Sequence, residues 1–91
     1  MILEVDMYDI TMFYMATCPY CMEAKRFISF VLEENQKYKD IKINYIDEVE
    51  QRELANSYDY YYVPSFYVNG KKIHEGPASL EKVRKVFDAA F

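Results

Sequence analysis

Ile10-Thr11-Met12-Phe13-Tyr14-Met15 is an apolar run broken only by Thr11. A short run of β-prone residues like this predicts a central strand covered on both faces. Pro19, with no amide hydrogen and a fixed φ, suits the first position of a helix. From there Ala24, Phe27, Ile28, Val31 and Leu32 recur at helical spacing, while Glu23, Lys25, Arg26, Glu33 and Glu34 lie mostly off the stripe. That pattern predicts an amphipathic helix ending near Lys37. Ile41, Ile43 and Tyr45 then alternate with Lys42 and Asn44 before Ile46, the period of a second strand. Asp47 and Glu50 have the spacing of a capping box and predict a short helix through Leu54 and Ala55 to about Tyr58. Ser65-Phe66-Tyr67-Val68 and Lys71-Lys72-Ile73-His74 flank Asn69-Gly70, a dipeptide that tolerates positive φ in a tight hairpin turn. Leu80, Val83, Val86, Phe87 and Ala90 mark a terminal helix with Ser79 as its cap and Glu81 in its first turn. Met1 to Asp9 have no clean period and read as either a short extra strand or a loose tail.

The predicted order is β-α-β-α-β-β-α. Strands joined through a helix run parallel, and the hairpin adds antiparallel partners, so the expected α/β architecture is a four-stranded mixed sheet with helices on both faces. With 91 residues, the chain is expected to form one domain over 1–91, with 1–9 as a short N-terminal extension.

Composition narrows the function. Hydrophobic residues are 52% of the chain and aromatic residues 18%, ample for a packed core. A net charge of −4 with no basic run speaks against nucleic acid, whose phosphates need a basic face. Glu4, Asp6 and Asp9 interrupt the start where a secretory signal needs a basic end and an apolar core, and no apolar stretch reaches the ~18 residues of a membrane span. The expectation is a cytoplasmic monomer with no membrane partner. Two isolated glycines, Gly70 and Gly76, cannot build a Gly-rich phosphate loop. His74, the single histidine, reads as a surface residue of the hairpin and lacks the partners of a triad or a multi-histidine metal site.

Chemistry is therefore left to Cys18-Pro19-Tyr20-Cys21. Two thiols at i and i+3, where a strand passes into a helix, lie one turn apart and can close a small disulfide ring. Cys18 at the helix start meets unpaired amides and the positive end of the dipole, which favour a thiolate and make it the nucleophile. Cys21, one turn inside, is the resolving thiol that attacks the mixed disulfide. The same pair could be half of a zinc site, a structural disulfide, or the ligands of an iron–sulfur cluster shared by two subunits, but four zinc ligands would need more than His74 supplies.

Cys18-Pro19-Tyr20-Cys21 after an apolar strand, Lys25-Arg26, Val63-Pro64 and Val68-Asn69-Gly70-Lys71 together resemble a glutaredoxin of the thioredoxin-fold superfamily, over residues 10 to 91. The resemblance implies a thioredoxin fold, thiol–disulfide oxidoreductase activity without a bound cofactor, and substrate contacts from Pro19, Tyr20, Val63 and Pro64. It also implies a cis Val63-Pro64 bond, with the Val63 amide and carbonyl offered to an extended substrate segment beside Cys18. Two places depart from the family pattern. Met15 stands where a lysine is common, and Glu75-Gly76-Pro77-Ala78-Ser79 where Gly-Gly-x-Asp is common. Both changes remove groups that hold the carboxylates of glutathione, and Glu75 adds a like charge, so weakened glutathione binding is implied. The electron source is then glutathione or a thioredoxin reductase, and the substrates are disulfide-containing proteins. A strict glutathione-dependent glutaredoxin and a non-catalytic iron–sulfur carrier or redox-dependent binding module are the alternatives. Tyr58, Tyr60, Tyr61 and Tyr62, which crowd the approach to Pro64, are either a docking surface or packing on the sheet. Lys25 and Arg26 either lean toward the thiols or stand as surface charges.

Overall fold

A computed structural model of the chain describes residues 7–91. It contains β1 (Ile10–Tyr14), α1 (Pro19–Glu34), β2 (Ile43–Asp47), α2 (Arg52–Asn56), β3 (Ser65–Val68), β4 (Lys71–Glu75) and α3 (Leu80–Ala90). The four strands form one sheet in the order β2-β1-β3-β4. β1 runs parallel to β2 and antiparallel to β3, and β3 pairs antiparallel with β4. The element order, the parallel β1–β2 pair and the antiparallel hairpin are those expected from the sequence, while the position of β1 beside β3 is what the structure adds. In the expected N-terminal extension, residues 1–6 lie outside the described residues, and 7–9 are not strand. Tyr8 is tied to the last helix by donating its N–H to the Ala90 carbonyl at 2.8 Å.

Alternation along the strands divides the interior in two. Ile10 and Met12 of β1 and Phe66 and Val68 of β3 pack against Ala24, Ile28 and Val31 of α1 and Val83, Val86, Phe87 and Ala90 of α3. Phe13 and Tyr67, pointing the other way, pack against Ala55 of α2, with Ile46, Tyr58, Tyr60 and Val63 at the margin. Helices therefore cover both faces, two on one and the short α2 on the other.

Three local details differ from the sequence reading. α1 stops at Glu34, and a single 3₁₀ turn over Gln36–Tyr38 follows, opened by the Asn35 side chain accepting from the Lys37 amide. Tyr38 is thereby buried against Phe87, their rings 5.4 Å apart. Asp47 Oδ1 does accept from the Val49 and Glu50 amides, at 2.9 and 3.3 Å, but it closes a turn. The helix begins later, at Arg52 after Gln51, without a side-chain cap. Ser79 caps α3 as expected, accepting from the Lys82 amide. The hairpin also forms as expected, with φ of 52° at Asn69 and 78° at Gly70. Its register shifts between Phe66 and Tyr67, leaving Ile73 as the extra residue of a bulge on β4.

Candidate active site

The strand-to-helix junction places both cysteines. Cys18 is the N-cap of α1, in extended backbone (φ −88°, ψ 117°), and Pro19 follows at the first helical position. The Cys18 amide donates to the Met15 carbonyl at 3.1 Å, and the Cys18 carbonyl accepts from the Cys21 and Met22 amides, each at 3.1 Å. The turn that carries Cys18 is thus fixed from both sides, and its thiol is partly exposed. Cys21 faces inward from the first turn and is 0% exposed. Both are free thiols.

Burial pushes the Cys21 thiol up to about 12, and the neighbouring Cys18 thiol and the Glu48 carboxylate push the same way, against a hydrogen bond from the Met15 amide. Withdrawing an anion from water disfavours it, so Cys21 holds its proton where an exposed thiol would give it up. The two sulfurs therefore differ in access.

Val63-Pro64 is cis. The Val63 carbonyl lies 4.0 Å from Cys18 Sγ, within reach of a weak S–H donor. Four of the residues singled out from the sequence, Cys18, Cys21, Val63 and Pro64, are thus brought to one place. Pro19 serves as the helix start, while Tyr20 projects from the motif, 54% exposed. The tyrosines separate into two pairs. Tyr58 and Tyr60 pack on Phe13 with centroids 4.7 and 4.9 Å away, whereas Tyr61 and Tyr62 are 85% and 70% exposed beside Val63. Lys25 places its ammonium 3.8 Å above the Tyr14 ring and 5.2 Å from that of Tyr45, so its charge is taken up by aromatic faces.

His74 is partly buried, with Nε2 3.0 Å from the carbonyls of both Gly76 and Pro77. It holds the turn after β4, a role the isolated residue in the sequence did not reveal. Glu75 is likewise more than the free charge expected there. Its Oε2 accepts from the Tyr61 and Tyr62 amides at 2.5 and 2.8 Å, and its Oε1 pairs with Lys72 Nζ at 2.7 Å. Lys72 first, then the two amides, lower the Glu75 carboxyl to about 2. Ser65, fully buried, is satisfied by donating from Oγ to the Tyr62 carbonyl at 2.5 Å. The ties of Glu75 to Tyr61 and Tyr62 span 14 and 13 residues, and those of His74 and Ser65 are local; none leaves a periodic or motif signal, and sequence reading missed them.

Two concavities, of about 460 Å³ along Glu50–Leu54 and about 210 Å³ between Ile73, His74, Lys82 and Lys85, are lined by neither cysteine. Among the described residues no group of three or more His, Cys, Asp or Glu is gathered as metal ligands, and no helix is long and apolar enough to cross a membrane. A family model described as a thioredoxin domain matches residues 8–88. The fold is similar to that of a thioredoxin variant from Halobacterium salinarum, at 19% identity over 93% of this chain and 75% of that one, with a TM-score of 0.68. It is also similar to a thioredoxin-like protein from Clostridium perfringens, at 24% identity, 96% and 73% coverage and a TM-score of 0.68. Thioredoxin O1 from Arabidopsis thaliana in its oxidized state gives 22% identity, 94% and 79% coverage and a TM-score of 0.62. No curated protein matches by sequence.

Proposed function

The chain belongs to the thioredoxin-domain family, and from that premise we propose that it is a glutaredoxin-like thiol–disulfide oxidoreductase cycling Cys18 and Cys21 between dithiol and disulfide. The observation that carries this reading is the pairing of a partly exposed Cys18 at the start of α1, 4.0 Å from the Val63 carbonyl, with a Cys21 buried one turn behind it.

The Cys18 thiolate attacks one sulfur of a substrate disulfide, forming a mixed disulfide and releasing the first substrate thiolate. Val63 offers its amide and carbonyl to the substrate backbone, as in strand addition, while Pro64, Pro19 and Tyr20 shape the surroundings. Cys21 then attacks the Cys18 sulfur, and its proton goes to the departing second thiolate. The substrate has gained two electrons and the protein holds a Cys18–Cys21 disulfide. A burial-raised Cys21 suits this order, because it keeps its proton until the thiolate departing from the mixed disulfide can accept it. A Cys18 that opens onto a surface flanked by exposed tyrosines favours protein disulfides as substrates.

The electron donor is glutathione or a flavoprotein thioredoxin reductase. Met15 and the engaged Glu75 provide no cation for the glutathione carboxylates, which favours the reductase. Turnover of a protein disulfide, coupled in parallel to glutathione with glutathione reductase and to thioredoxin reductase alone, tests the reading. Reduction that needs Cys18 is expected, faster with the reductase. No turnover with either donor overturns the reading, and deglutathionylation at rates typical of glutaredoxins assigns the activity to a strict glutathione-dependent glutaredoxin.

A further inference from the structure

Val63, whose carbonyl faces Cys18, sits in a segment with little apolar anchoring on its approach, since the preceding Tyr61 and Tyr62 side chains are largely in solvent. Such segments open locally at low free energy unless polar ties hold them. The end of β4 supplies those ties on both sides of Val63. Before it, the Glu75 carboxylate gathers the consecutive amides of Tyr61 and Tyr62 on one oxygen, at 2.5 and 2.8 Å. After it, the Gly76 amide donates to the Pro64 carbonyl at 2.8 Å. Consecutive amides converging on an anion form the concave arrangement proteins use to bind oxyanions, and here the anion belongs to the chain itself. Lys72 completes the arrangement by pairing with Oε1 at 2.7 Å and donating to the Asp59 carbonyl at 3.1 Å. A carboxylate at the end of an edge strand could satisfy itself in water. This one is turned onto the amides of residues 61 and 62, and its side chain is only 19% exposed.

From this bracket we infer that Glu75 is a positioning residue of the active site, fixing the Val63 backbone beside Cys18 so that a substrate strand docks in register with the attacking sulfur. The inference rests on the reading of Cys18 as the attacking thiol and deepens it. Glu75 touches neither thiol, so it acts on docking and leaves the intrinsic reactivity of Cys18 unchanged. A glutamine keeps an acceptor oxygen for the amides and gives up the charge; an alanine gives up both.

The test compares wild type, Glu75→Gln and Glu75→Ala in reducing an extended disulfide-bridged peptide, and in the rate at which iodoacetamide, which needs no docking, alkylates Cys18. The expected result is a KM raised roughly tenfold in Glu75→Ala, equivalent to about 1.4 kcal/mol. Glu75→Gln should give a smaller rise, with alkylation unchanged in both. A KM within about twofold of wild type in both variants overturns the inference. So does an alkylation rate that shifts together with KM, because that marks a disturbed helix start. Should Glu75→Ala not fold, the Glu75→Gln comparison decides alone. An inactive wild-type protein instead overturns the parent reading, so the two failures are told apart by the wild type.

Discussion

Two thiols one helical turn apart share a motif but not an environment. Cys18 is partly exposed at the N-cap, whereas Cys21 is buried with its thiol pushed up to about 12. Limited iodoacetamide near neutral pH should therefore label Cys18 first, because only an accessible thiolate reacts. Peptide mapping by mass spectrometry checks the order, and faster labelling of Cys21 would exchange the two roles. On the proposed mechanism, Cys18→Ser should abolish turnover, and Cys21→Ser should accumulate a mixed disulfide that non-reducing electrophoresis detects. Glu75 gives a prediction of a different kind. Its carboxyl lies at about 2 in the folded protein against an ordinary 4.5. A depressed folded value means that the charged form stabilises the fold fully above the ordinary value, and that this contribution fades as pH falls toward the folded one. Wild type should accordingly melt higher than Glu75→Gln near neutral pH, with the gap closing as the pH approaches about 2. A gap independent of pH would show that the charge does not hold the loop.

The elements came out of the sequence wherever one local cause decided them. Asn69-Gly70 between two β-prone runs could hardly be anything but a tight hairpin, and both residues do take positive φ. No neighbour stands within 4 Å of where a Cβ on Gly70 would lie, so Gly70→Ala isolates the backbone term. It should cost about 1–2 kcal/mol, the price of a left-handed L-residue. Thermal melting should show this as a fall of roughly 4–8 °C for each kcal/mol in a domain of this size, with turnover per folded molecule unchanged. Where a tertiary contact competed, the sequence was ambiguous. Asp47 and Glu50 fit a capping box and an Asx turn equally, and the structure uses the turn. The stripe of α1 gave no hint of a stop at Glu34, because the stop serves to bury Tyr38 under Phe87. The cysteines were legible because their spacing marks a motif, whereas the cis Val63-Pro64 bond was legible only through the resemblance to a family. Glu75 was read only as a charge, since the amides it holds lie 13 and 14 residues away along the chain.

At the scale of the molecule, the sheet separates two unequal cores, and the site leans on the smaller. The larger joins α1 and α3 to the sheet through a continuous aliphatic layer. The smaller rests on Phe13, whose ring meets Tyr58, Tyr60 and Tyr67 at 4.7, 4.9 and 5.7 Å, with Val63 packed at its edge. One face is therefore held by many side chains and the other by a few, with Phe13 at their centre. Removing Phe13 leaves a void that a short α2 of five residues has little means to close. Phe13→Ala should cost about 3–5 kcal/mol, a large part of the ~5–15 kcal/mol that keeps such domains folded. The loss should also be uneven, since regions with few buried contacts open before the rest. Native-state hydrogen exchange of Phe13→Ala is expected to accelerate first at α2 and residues 58–63, while α1 and α3 keep most of their protection. Because Val63 lies in the accelerated region, turnover should fall at temperatures where α3 is still protected. Uniform acceleration across all elements would show instead that the two cores fold and open as one.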